Sequence, residues 1–366
     1  MIRTMSTTFD EAKDFFISGV RHFEAGDYEG ARRQFEASLS LVPRRASTLM
    51  NLGATLIKLG RFAEAAALLD EAVRIEPTDA QAWGHLATAL AELGQHENAL
   101  ASADAALRLD GMLAPVWTLK GSLLRDLGRD ADAAPCYRQA LAHGGDAELN
   151  SYFLAALGQH GAPPAAPRGY VQALFDGYAP GFERHLVEVL QYRAPQLLAE
   201  GLGGRRFNAV LDLGCGTGLV AETLRGRAGT ITGIDLSSSM VKQALGRGLY
   251  SEIHQADVLD FLRATQRRFD LVVAADVFIY LGDLEPVFAA VYEVLDAGGV
   301  FAFTVELCTD EEHALLKPSM RYAHSRSLIR TLAAHNGFDV QRLDQQPIRL
   351  DQQQPVGGLL AWLIKP

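Results

Sequence analysis

The sequence predicts an all-α solenoid of helix pairs followed by an α/β domain built on a mostly parallel sheet. Three observations predict this order. Small residues recur every 34 residues in the first half, a Pro/Gly/Ala-rich segment covers 158–169, and the second half alternates β-rich apolar runs with helix-length segments. A chain of 366 residues is long enough for two domains, each with its own core. We expect these domains over 1–157 and 170–366, with 158–169 as the linker.

Four series of residues carry the 34-residue repeat. They are Gly19, Gly53, Ala87, Gly121; Ala31, Ala65, Ala99, Ala133; Gly26, Gly60, Gly94, Gly128; and Pro43, Pro77, Gly111, Gly145. The first two series let neighbouring helices approach closely, the third supplies the turn within each pair, and the fourth ends each unit. We expect four helix pairs over about residues 12–145 and a capping helix over 146–157. The pattern resembles the tetratricopeptide repeat family.

That resemblance implies a groove lined by the first helix of each repeat. In the first two repeats the groove-facing positions are largely apolar: Phe16, Val20, Phe23, Met50, Ala54 and Ile57. An apolar groove suits a protein or peptide partner, an acyl chain or a docking helix. Of the residues that clamp a peptide carboxylate in this family, only Asn51 is present. The same apolar residues could instead pack between helices, and both interpretations stay open here.

The second domain contains seven apolar runs rich in β-forming residues, after two amphipathic stretches over 170–178 and 182–202. The runs cover 209–213, 230–234, 252–255, 270–274, 300–304, 339–343 and 359–364. Helix-length segments separate the first five, which predicts βαβ units and a buried parallel sheet. The last two follow each other directly, which predicts an antiparallel hairpin at the edge of a seven-stranded sheet.

A glycine-rich turn over 214–218 follows the first predicted strand. Glycines there permit positive φ and let a ligand approach the backbone. A nicotinamide-dinucleotide site would need a third glycine where Leu219 stands, and the Asp212 carboxylate is a poor neighbour for a pyrophosphate. A carboxylate suits an ammonium group. The turn therefore favours a ligand with a nucleoside and a positive charge but no phosphates, which disfavours a dinucleotide-dependent oxidoreductase.

Residues 170–366 resemble the class I S-adenosylmethionine-dependent methyltransferases, whose fold is Rossmann-like. Acidic residues stand where that family places them, after the second, third and fourth strands. The resemblance implies that Asp235 accepts both ribose hydroxyls, that Asp257 meets the adenine amino group and that Asp276 lies beside the methyl donor. It implies S-adenosylmethionine as cofactor, bound by Asp212, Gly214, Cys215, Gly216, Gly218, Asp235, Leu236, Met240, Asp257, Val258, Asp276 and Tyr178. An Asp after a strand could instead cap a helix, and Cys215 could be a small core residue.

Two further segments resemble a bacterial subgroup that joins tetratricopeptide repeats to a methyltransferase. Residues 170–186 resemble its helical lid, where Phe175 is expected to pack and Tyr178 and Phe182 could lie over the cofactor. Residues 321–325 are expected to open a helix, with Ser325 as a possible cap.

The resemblance puts two of the residues in this second segment, Tyr322 and His324, at the acceptor pocket. His324 and Tyr280 are the candidate catalytic groups, because imidazole titrates near neutral pH and a phenol can orient an acceptor.

Composition excludes several classes of partner. The net charge of −10 gives no broad basic surface for nucleic acid or an anionic membrane. The segment after the fourth strand, Asp276-Val-Phe-Ile, lacks the prolines of DNA amino-methyltransferases. No uncharged apolar run approaches the length of about 18 residues that a membrane span requires. Three cysteines without CxxC spacing predict no disulfide framework and no metal site, and they favour a cytoplasmic location.

The resulting hypothesis is an S-adenosylmethionine-dependent methyltransferase whose repeats recruit the acceptor or a protein partner. The acceptor would be a small molecule or a protein-linked group. The alternative is a repeat scaffold with a non-catalytic domain that senses the cofactor.

Overall fold

The protein is described by a computed structural model, which covers residues 2–178, 182–351 and 353–366. The chain divides into two compact units, Met1–Leu154 and Ala155–Pro366. The segment expected to be a linker therefore falls within the second unit. Ala165 forms an antiparallel bridge with Leu281, and the Ala166 N–H donates to the Tyr280 carbonyl oxygen at 2.9 Å. The prolines of residues 158–169 exclude a helix, but they do not prevent this segment from packing against the rest of the second unit.

The first unit is a series of antiparallel helix pairs, as the 34-residue period predicts. The described helices are α1 (Ile2–Glu24), α2 (Tyr28–Leu41), α3 (Ala46–Lys58), α4 (Phe62–Ile75), α5 (Ala80–Glu92), α6 (His96–Leu109), α7 (Ala114–Asp126), α8 (Asp130–Ala142) and α9 (Ala147–Ala156). The four turn glycines have φ between +71° and +76°, a conformation that costs glycine little.

The small residues of the repeat allow close helix packing, as expected. A Cβ added to Gly53 would lie 2.5 Å from the Leu69 side chain, and one added to Gly121 would lie 2.6 Å from the Tyr137 ring. Five of the six predicted groove residues are half-buried against the same core, namely Phe16, Val20, Phe23, Met50 and Ile57, and the sixth, Ala54, is buried. Packing between helices therefore accounts for much of their apolar character.

The second unit is built on one sheet of nine described strands. They are β1 (Phe207–Leu213), β2 (Ala228–Asp235), β3 (Glu252–Gln255), β4 (Phe269–Ala274), β5 (Leu295–Leu307), β6 (Ala314–Leu316), β7 (Tyr322–His324), β8 (Asp339–Asp351) and β9 (Gln354–Ile364). Their order is β3-β2-β1-β4-β5-β7-β6, and β9 pairs antiparallel with both β5 and β8. The parallel sheet and the antiparallel hairpin are confirmed.

The predicted count of seven strands is wrong, because β6 and β7 form a short insertion after β5. Within it, β7 pairs in parallel with the end of β5, where Glu306 faces Ala323. The helix expected to open at 321 begins instead at Arg326, and the Ser325 hydroxyl caps it by accepting from the Leu328 N–H at 3.1 Å. The backbone pairing of β7 is a long-range interaction with no local sequence signal.

Helices cover both faces of the sheet. They are α10 (Arg168–Tyr178), α11 (Phe182–Arg184), α12 (Ala194–Gly201), α13 (Leu219–Thr223), α14 (Ser238–Gly246), α15 (Val258–Ala264), α16 (Glu285–Val294) and α17 (Arg326–His335), with a π-helical turn at His185–Val189 and a 3₁₀ turn at Phe278–Tyr280. None of the described helices is long and apolar enough to cross a membrane.

The amphipathic stretch over 182–202 does not form one continuous helix, because it is broken before α12. Gln191 has φ +48° at the break. Backbone hydrogen bonds tie this segment to β8 on both sides of that residue, from the Leu350 N–H to the Leu190 carbonyl at 2.7 Å and from the Arg193 N–H to the Ile348 carbonyl at 3.0 Å. Tertiary pairing thus replaces helical hydrogen bonds, and it brings Tyr192 beside the end of β8.

Candidate active site

A cavity of about 600 Å³ lies where the carboxyl ends of β1, β2, β3 and β4 meet at one edge of the sheet. Ligands of open α/β sheets bind at this edge, because the loops that follow parallel strands converge there. Parts of α10, the 3₁₀ turn and the broken segment before α12 complete the wall.

Most of the predicted site residues line this cavity. They are Gly214, Cys215, Gly216, Asp235, Leu236, Asp257, Val258, Asp276 and Tyr280. Four others are not among the lining residues: Asp212, Gly218, Met240 and His324. The side chains of Tyr178 and Phe182 lie outside the described part of the structure.

The glycines of the turn after β1 have different structural roles. Gly214, Gly216 and Gly218 all have positive φ, between +53° and +92°. A Cβ on Gly214 would lie 2.5 Å from Val277, whereas a Cβ on Gly216 would meet nothing within 4 Å. Gly214 is therefore required for packing against the loop after β4, and Gly216 leaves its backbone open to a ligand. Cys215 is buried, and burial raises the pKa of its thiol, which fits the core-residue interpretation.

Asp235, at the end of β2, holds the glycine turn in place. Its Oδ2 accepts from the Gly216 N–H at 2.8 Å, and its Oδ1 accepts from the Ser237 N–H at 2.9 Å. It does not cap α14, because Ser237 does so by accepting from the Met240 N–H. Burial raises the pKa of Asp235, while the two backbone hydrogen bonds oppose that shift.

Asp257 does cap a helix, as the alternative interpretation allowed. Its Oδ1 accepts from the Leu259 N–H at 2.9 Å and from the Asp260 N–H at 3.1 Å, at the start of α15. The same oxygen lies 3.1 Å from the Arg168 Nη2. Arg168 also lines the cavity, and nothing in the sequence pattern singled it out.

Asp212 is fully buried behind the glycine turn. Its Oδ2 accepts from the Tyr250 hydroxyl at 2.7 Å, while its Oδ1 has no hydrogen-bond partner among the described residues. Burial raises the pKa of this carboxyl to about 7, although the Tyr250 hydrogen bond opposes the shift. An unpaired buried carboxylate oxygen is unfavourable unless a donor reaches it, so it fits a cationic ligand group better than a phosphate.

Asp276, after β4, is fixed by a buried ion-pair network. Its backbone has φ +59°, a strained conformation for a residue other than glycine. The Arg349 guanidinium pairs with both Asp276 and Glu306, and the Thr304 Oγ1 accepts from the Asp276 N–H at 2.9 Å. Arg349 belongs to β8 but lies beyond the run from which that strand was predicted, so sequence reasoning missed it.

The two candidate catalytic groups differ in their position. Tyr280 lines the cavity and packs edge-on against Phe175, with ring centroids 5.6 Å apart, and burial raises its pKa to about 12. His324 is fully buried in β7, and burial lowers its pKa to about 4, although nearby backbone groups of Gly282 and Leu281 oppose the shift. The expectation that His324 acts on an acceptor is therefore not supported. Tyr322 is also buried, and its hydroxyl donates to the Pro163 carbonyl at 2.7 Å.

Helix α10 corresponds to the expected lid and docks on the start of α14. The Asp176 Oδ1 accepts from the Ser237 hydroxyl at 2.6 Å and from the Ser239 N–H at 3.1 Å. Phe175 packs as expected and also contributes to the cavity wall. Within the described ranges, no group of three or more His, Cys, Asp or Glu side chains could hold a metal ion.

Comparison with known families assigns both parts of the chain. Residues 210–299 match a family model described as a methyltransferase domain. Residues 22–87, 56–123 and 114–142 match models described as tetratricopeptide repeats. These matches confirm the two resemblances drawn from the sequence.

The similar curated proteins include several that are O-methyltransferases by name. Malonyl-[acyl-carrier protein] O-methyltransferase of Salmonella typhimurium is 34% identical over 138 residues, which are 38% of this chain and 53% of that protein. Ubiquinone biosynthesis O-methyltransferase of Pasteurella multocida is 30% identical over 128 residues, 31% of this chain and 51% of that protein. The chain thus spans about half the length of the curated relatives it matches.

Among solved structures, the N-methyltransferase NodS from Bradyrhizobium japonicum in complex with S-adenosyl-l-homocysteine is 23% identical, with a TM-score of 0.40. The match covers 48% of this chain and 86% of the NodS chain. Magnesium protoporphyrin IX methyltransferase from Synechocystis is 16% identical, with a TM-score of 0.44, and covers 55% of this chain and 100% of its own.

Proposed function

We propose that this chain, which joins tetratricopeptide repeats to a methyltransferase domain, transfers methyl groups from S-adenosylmethionine to a small molecule or a carrier-bound group. The observation that carries the proposal is the open Gly216 backbone, hydrogen-bonded to the Asp235 carboxylate at the wall of the cavity. When bound, S-adenosylmethionine supplies a methyl group already activated by a positively charged sulfur.

The residues present fit this cofactor. Gly214, Cys215 and Gly216 would offer backbone to its amino-acid part, and the Asp235 carboxylate would accept from its ribose hydroxyls. Each carboxylate oxygen has a second acceptor position besides the one that a backbone N–H already uses. Leu236 and Val258 give the adenine an apolar bed. Asp212 lies behind the turn and does not line the cavity, and its unpaired oxygen would accept from a donor group that reaches it.

The chain's own contribution to transfer would be positioning. A displacement at an activated methyl carbon depends mainly on alignment of the reacting atoms. Arg349 and Thr304 fix Asp276 in place, and the Tyr280 ring packs against Phe175. Apolar residues of the lid and of the broken segment line the rest of the wall and limit access of water.

Calorimetry tests the cofactor assignment. We expect S-adenosylhomocysteine to bind the full chain, and NADH not to bind. The reverse result would overturn the assignment and restore the dinucleotide interpretation. Transfer of tritiated methyl label from S-adenosylmethionine into an extract of the source cells then tests turnover. Cofactor binding without any label transfer would favour the alternative, a repeat scaffold with a cofactor-sensing domain.

We also propose that the repeats recruit the acceptor or a protein partner, and that the acceptor is not a nucleic acid. Repeats of this kind present surfaces to other proteins. A net charge of −10 argues against polyanion binding. The three sparse cysteines, without CxxC spacing, favour a cytoplasmic location.

A further inference from the structure

One end of the cavity carries two arginines, Arg321 and Arg349, for which the cofactor assignment proposes no contact with the cofactor. This arginine end is formed by Tyr192, Asp276, Tyr280, Arg321 and Arg349, all of which line the cavity. It lies at the end of β4, away from β2 and β3, whose ends would hold the nucleoside. An acceptor that meets the methyl group beside Asp276 would therefore contact the arginine end.

The two arginines differ in how far their charge is already compensated. Arg349 is 4% exposed and pairs with both Asp276 and Glu306, so its role is structural. Arg321 uses only Nη1, which lies 3.1 Å from the Asp351 Oδ2 and 4.0 Å from the Glu306 Oε1. Its Nε and Nη2 have no hydrogen-bond partner in the described part of the chain.

The partners of Arg321 leave it free to bind another anion. Asp351 is 44% exposed, and an ion pair at that exposure is weak. Glu306 is compensated by Arg349 and by Lys317, whose Nζ lies 3.1 Å away. A guanidinium presents donors in a planar fork that matches a carboxylate. Arg321 can therefore exchange Asp351 for a ligand carboxylate.

Tyr192 is a second, independent indication of a ligand at this end. The residue is only 7% exposed, and it lines the cavity within a mostly apolar wall. A phenol hydroxyl that faces a cavity can donate a hydrogen bond to a ligand. The helix break that ties residues 190–193 to β8 places this hydroxyl in the cavity wall beside Arg349 and Asp276.

The titratable groups of the cavity wall further limit the chemical classes of acceptor that could be methylated. An alcohol or ammonium acceptor must lose a proton, which requires a base. The neutral titratable groups among the described lining residues are Tyr192, Tyr280 and Cys215, and burial raises the pKa of all three, which makes them poor proton acceptors at neutral pH. The lining carboxylates are weak bases toward alcohols and ammonium groups. A carboxylic acid is already ionised near neutral pH and needs no base.

We infer that the acceptor presents a carboxylate to Arg321 and Tyr192, and that the product is a methyl ester. The inference rests on the proposed function and specifies its substrate class. An oxygen of the carboxylate forms the bond to the methyl carbon, the carbon–sulfur bond breaks, and its electron pair goes to sulfur. No proton is released. Leu174, Leu186 and Leu190 line the approach, so the carboxylate belongs on an apolar chain or ring.

The chemical stability of the transferred label tests the product. Methyl esters release their label as methanol in alkali, whereas methyl ethers and N-methyl groups retain it. We expect tritium transferred into the cell extract by the full chain to be released by alkali as volatile methanol. Label that resists alkali would overturn the carboxylate inference and leave the methyltransferase proposal intact. Absence of any transfer would overturn both.

Binding of a matched pair of probes tests the site without turnover. Octanoate and octanamide have the same shape, but only octanoate carries a charge. With saturating S-adenosylhomocysteine, we expect octanoate to bind at least tenfold more tightly than octanamide. Arg321→Gln should abolish the difference, and Tyr192→Phe should reduce it. Asp351→Asn should strengthen octanoate binding, a gain that misfolding cannot produce. Equal binding of the two probes by the wild-type chain would refute the inference.

Arg267→Gln is the matched control, because Arg267 is also a half-exposed arginine in an ion pair, with Glu252, but it does not line the cavity. The carboxylate of the cofactor itself is the other anion that Arg321 could bind. Methylthioadenosine lacks the amino-acid part that S-adenosylhomocysteine carries. If Arg321→Gln weakened S-adenosylhomocysteine more than tenfold and methylthioadenosine less than threefold, Arg321 would hold the cofactor and the acceptor assignment would be refuted.

Discussion

An alanine substitution at Asp235, compared with the same substitution at a second aspartate, distinguishes an effect on ligand binding from an effect on stability. The Asp235 oxygens accept from two backbone N–H groups, and the proposed cofactor would add hydrogen bonds from two ribose hydroxyls. Hydrogen bonds to a charged group contribute about 1.5–3 kcal/mol each. Loss of both in Asp235→Ala removes about 3 kcal/mol or more, which corresponds to at least about 100-fold weaker binding.

The same substitution also leaves the Gly216 and Ser237 N–H groups without their acceptor, so we expect a loss of stability as well. Asp270 provides the control for that effect. It accepts from the Asn208 N–H at 2.6 Å and from the Ala209 N–H at 3.0 Å, at the amino end of β4 and away from the cavity. Asp270→Ala should lower the unfolding temperature similarly and leave the affinity for S-adenosylhomocysteine unchanged.

The assays are calorimetric titration with S-adenosylhomocysteine and thermal unfolding of the free proteins. An affinity change of less than threefold in Asp235→Ala would refute the assigned role. So would an equal loss of affinity in Asp270→Ala, because the effect would then follow from stability alone. Asp235→Asn keeps the volume and one acceptor oxygen, so its affinity should fall between those of the wild type and of Asp235→Ala.

Three other predictions concern different parts of the chain. Gly216→Val should abolish S-adenosylhomocysteine binding, because the valine side chain would project into the cavity from a backbone with φ +53°. Gly214→Ala should weaken binding because its methyl group would clash with Val277, and Val277→Ala should partly restore the affinity. Calorimetric titration of each variant measures these affinities. The Asp212 carboxyl keeps its proton to about pH 7 in the folded state but loses it near pH 4 in the unfolded state, so the free energy of unfolding should fall as pH rises from about 4 to 7. Urea unfolding across this range should show a smaller fall for Asp212→Asn. An unchanged pH profile would contradict the raised pKa of Asp212. The fragment 155–366 should bind S-adenosylhomocysteine with near-native affinity but lose turnover on the true acceptor, and full turnover would exclude recruitment by the repeats.

The repeat unit was predictable from sequence because its determinants are local and periodic. Each turn glycine and each small packing residue recurs at 34 residues, and the structure uses them as expected. The same locality explains the success at the glycine turn and at Asp235, since a strand, a turn and a helix follow each other directly in the chain. What the periodicity could not decide was whether apolar positions such as Phe16 face a partner or their own core.

The insertion after β5 shows where local reasoning fails. Residues 321–325 have the sequence of a helix start, and a helix does begin at Arg326. The preceding residues nevertheless pair with β5, because the end of that strand offers unpaired backbone groups there. This pairing turns His324 into the core, where it has no access to an acceptor, and brings Arg321 to the cavity instead.

Two members of the arginine end, Asp276 and Tyr280, follow β4 and were predicted from the sequence. The other three could not have been, because none of them follows a strand of the parallel sheet. Tyr192 enters the wall where a helix breaks to pair with β8, Arg321 precedes a short inserted strand, and Arg349 lies on the antiparallel hairpin. In a fold that binds its nucleoside at the ends of β1, β2 and β3, the cofactor half is encoded in consecutive βα turns. The acceptor half is assembled from segments distant in sequence, which can change without disturbing the sheet. Specificity for a carboxylate would thus depend on Arg321 and Tyr192, two residues that the parallel sheet does not require.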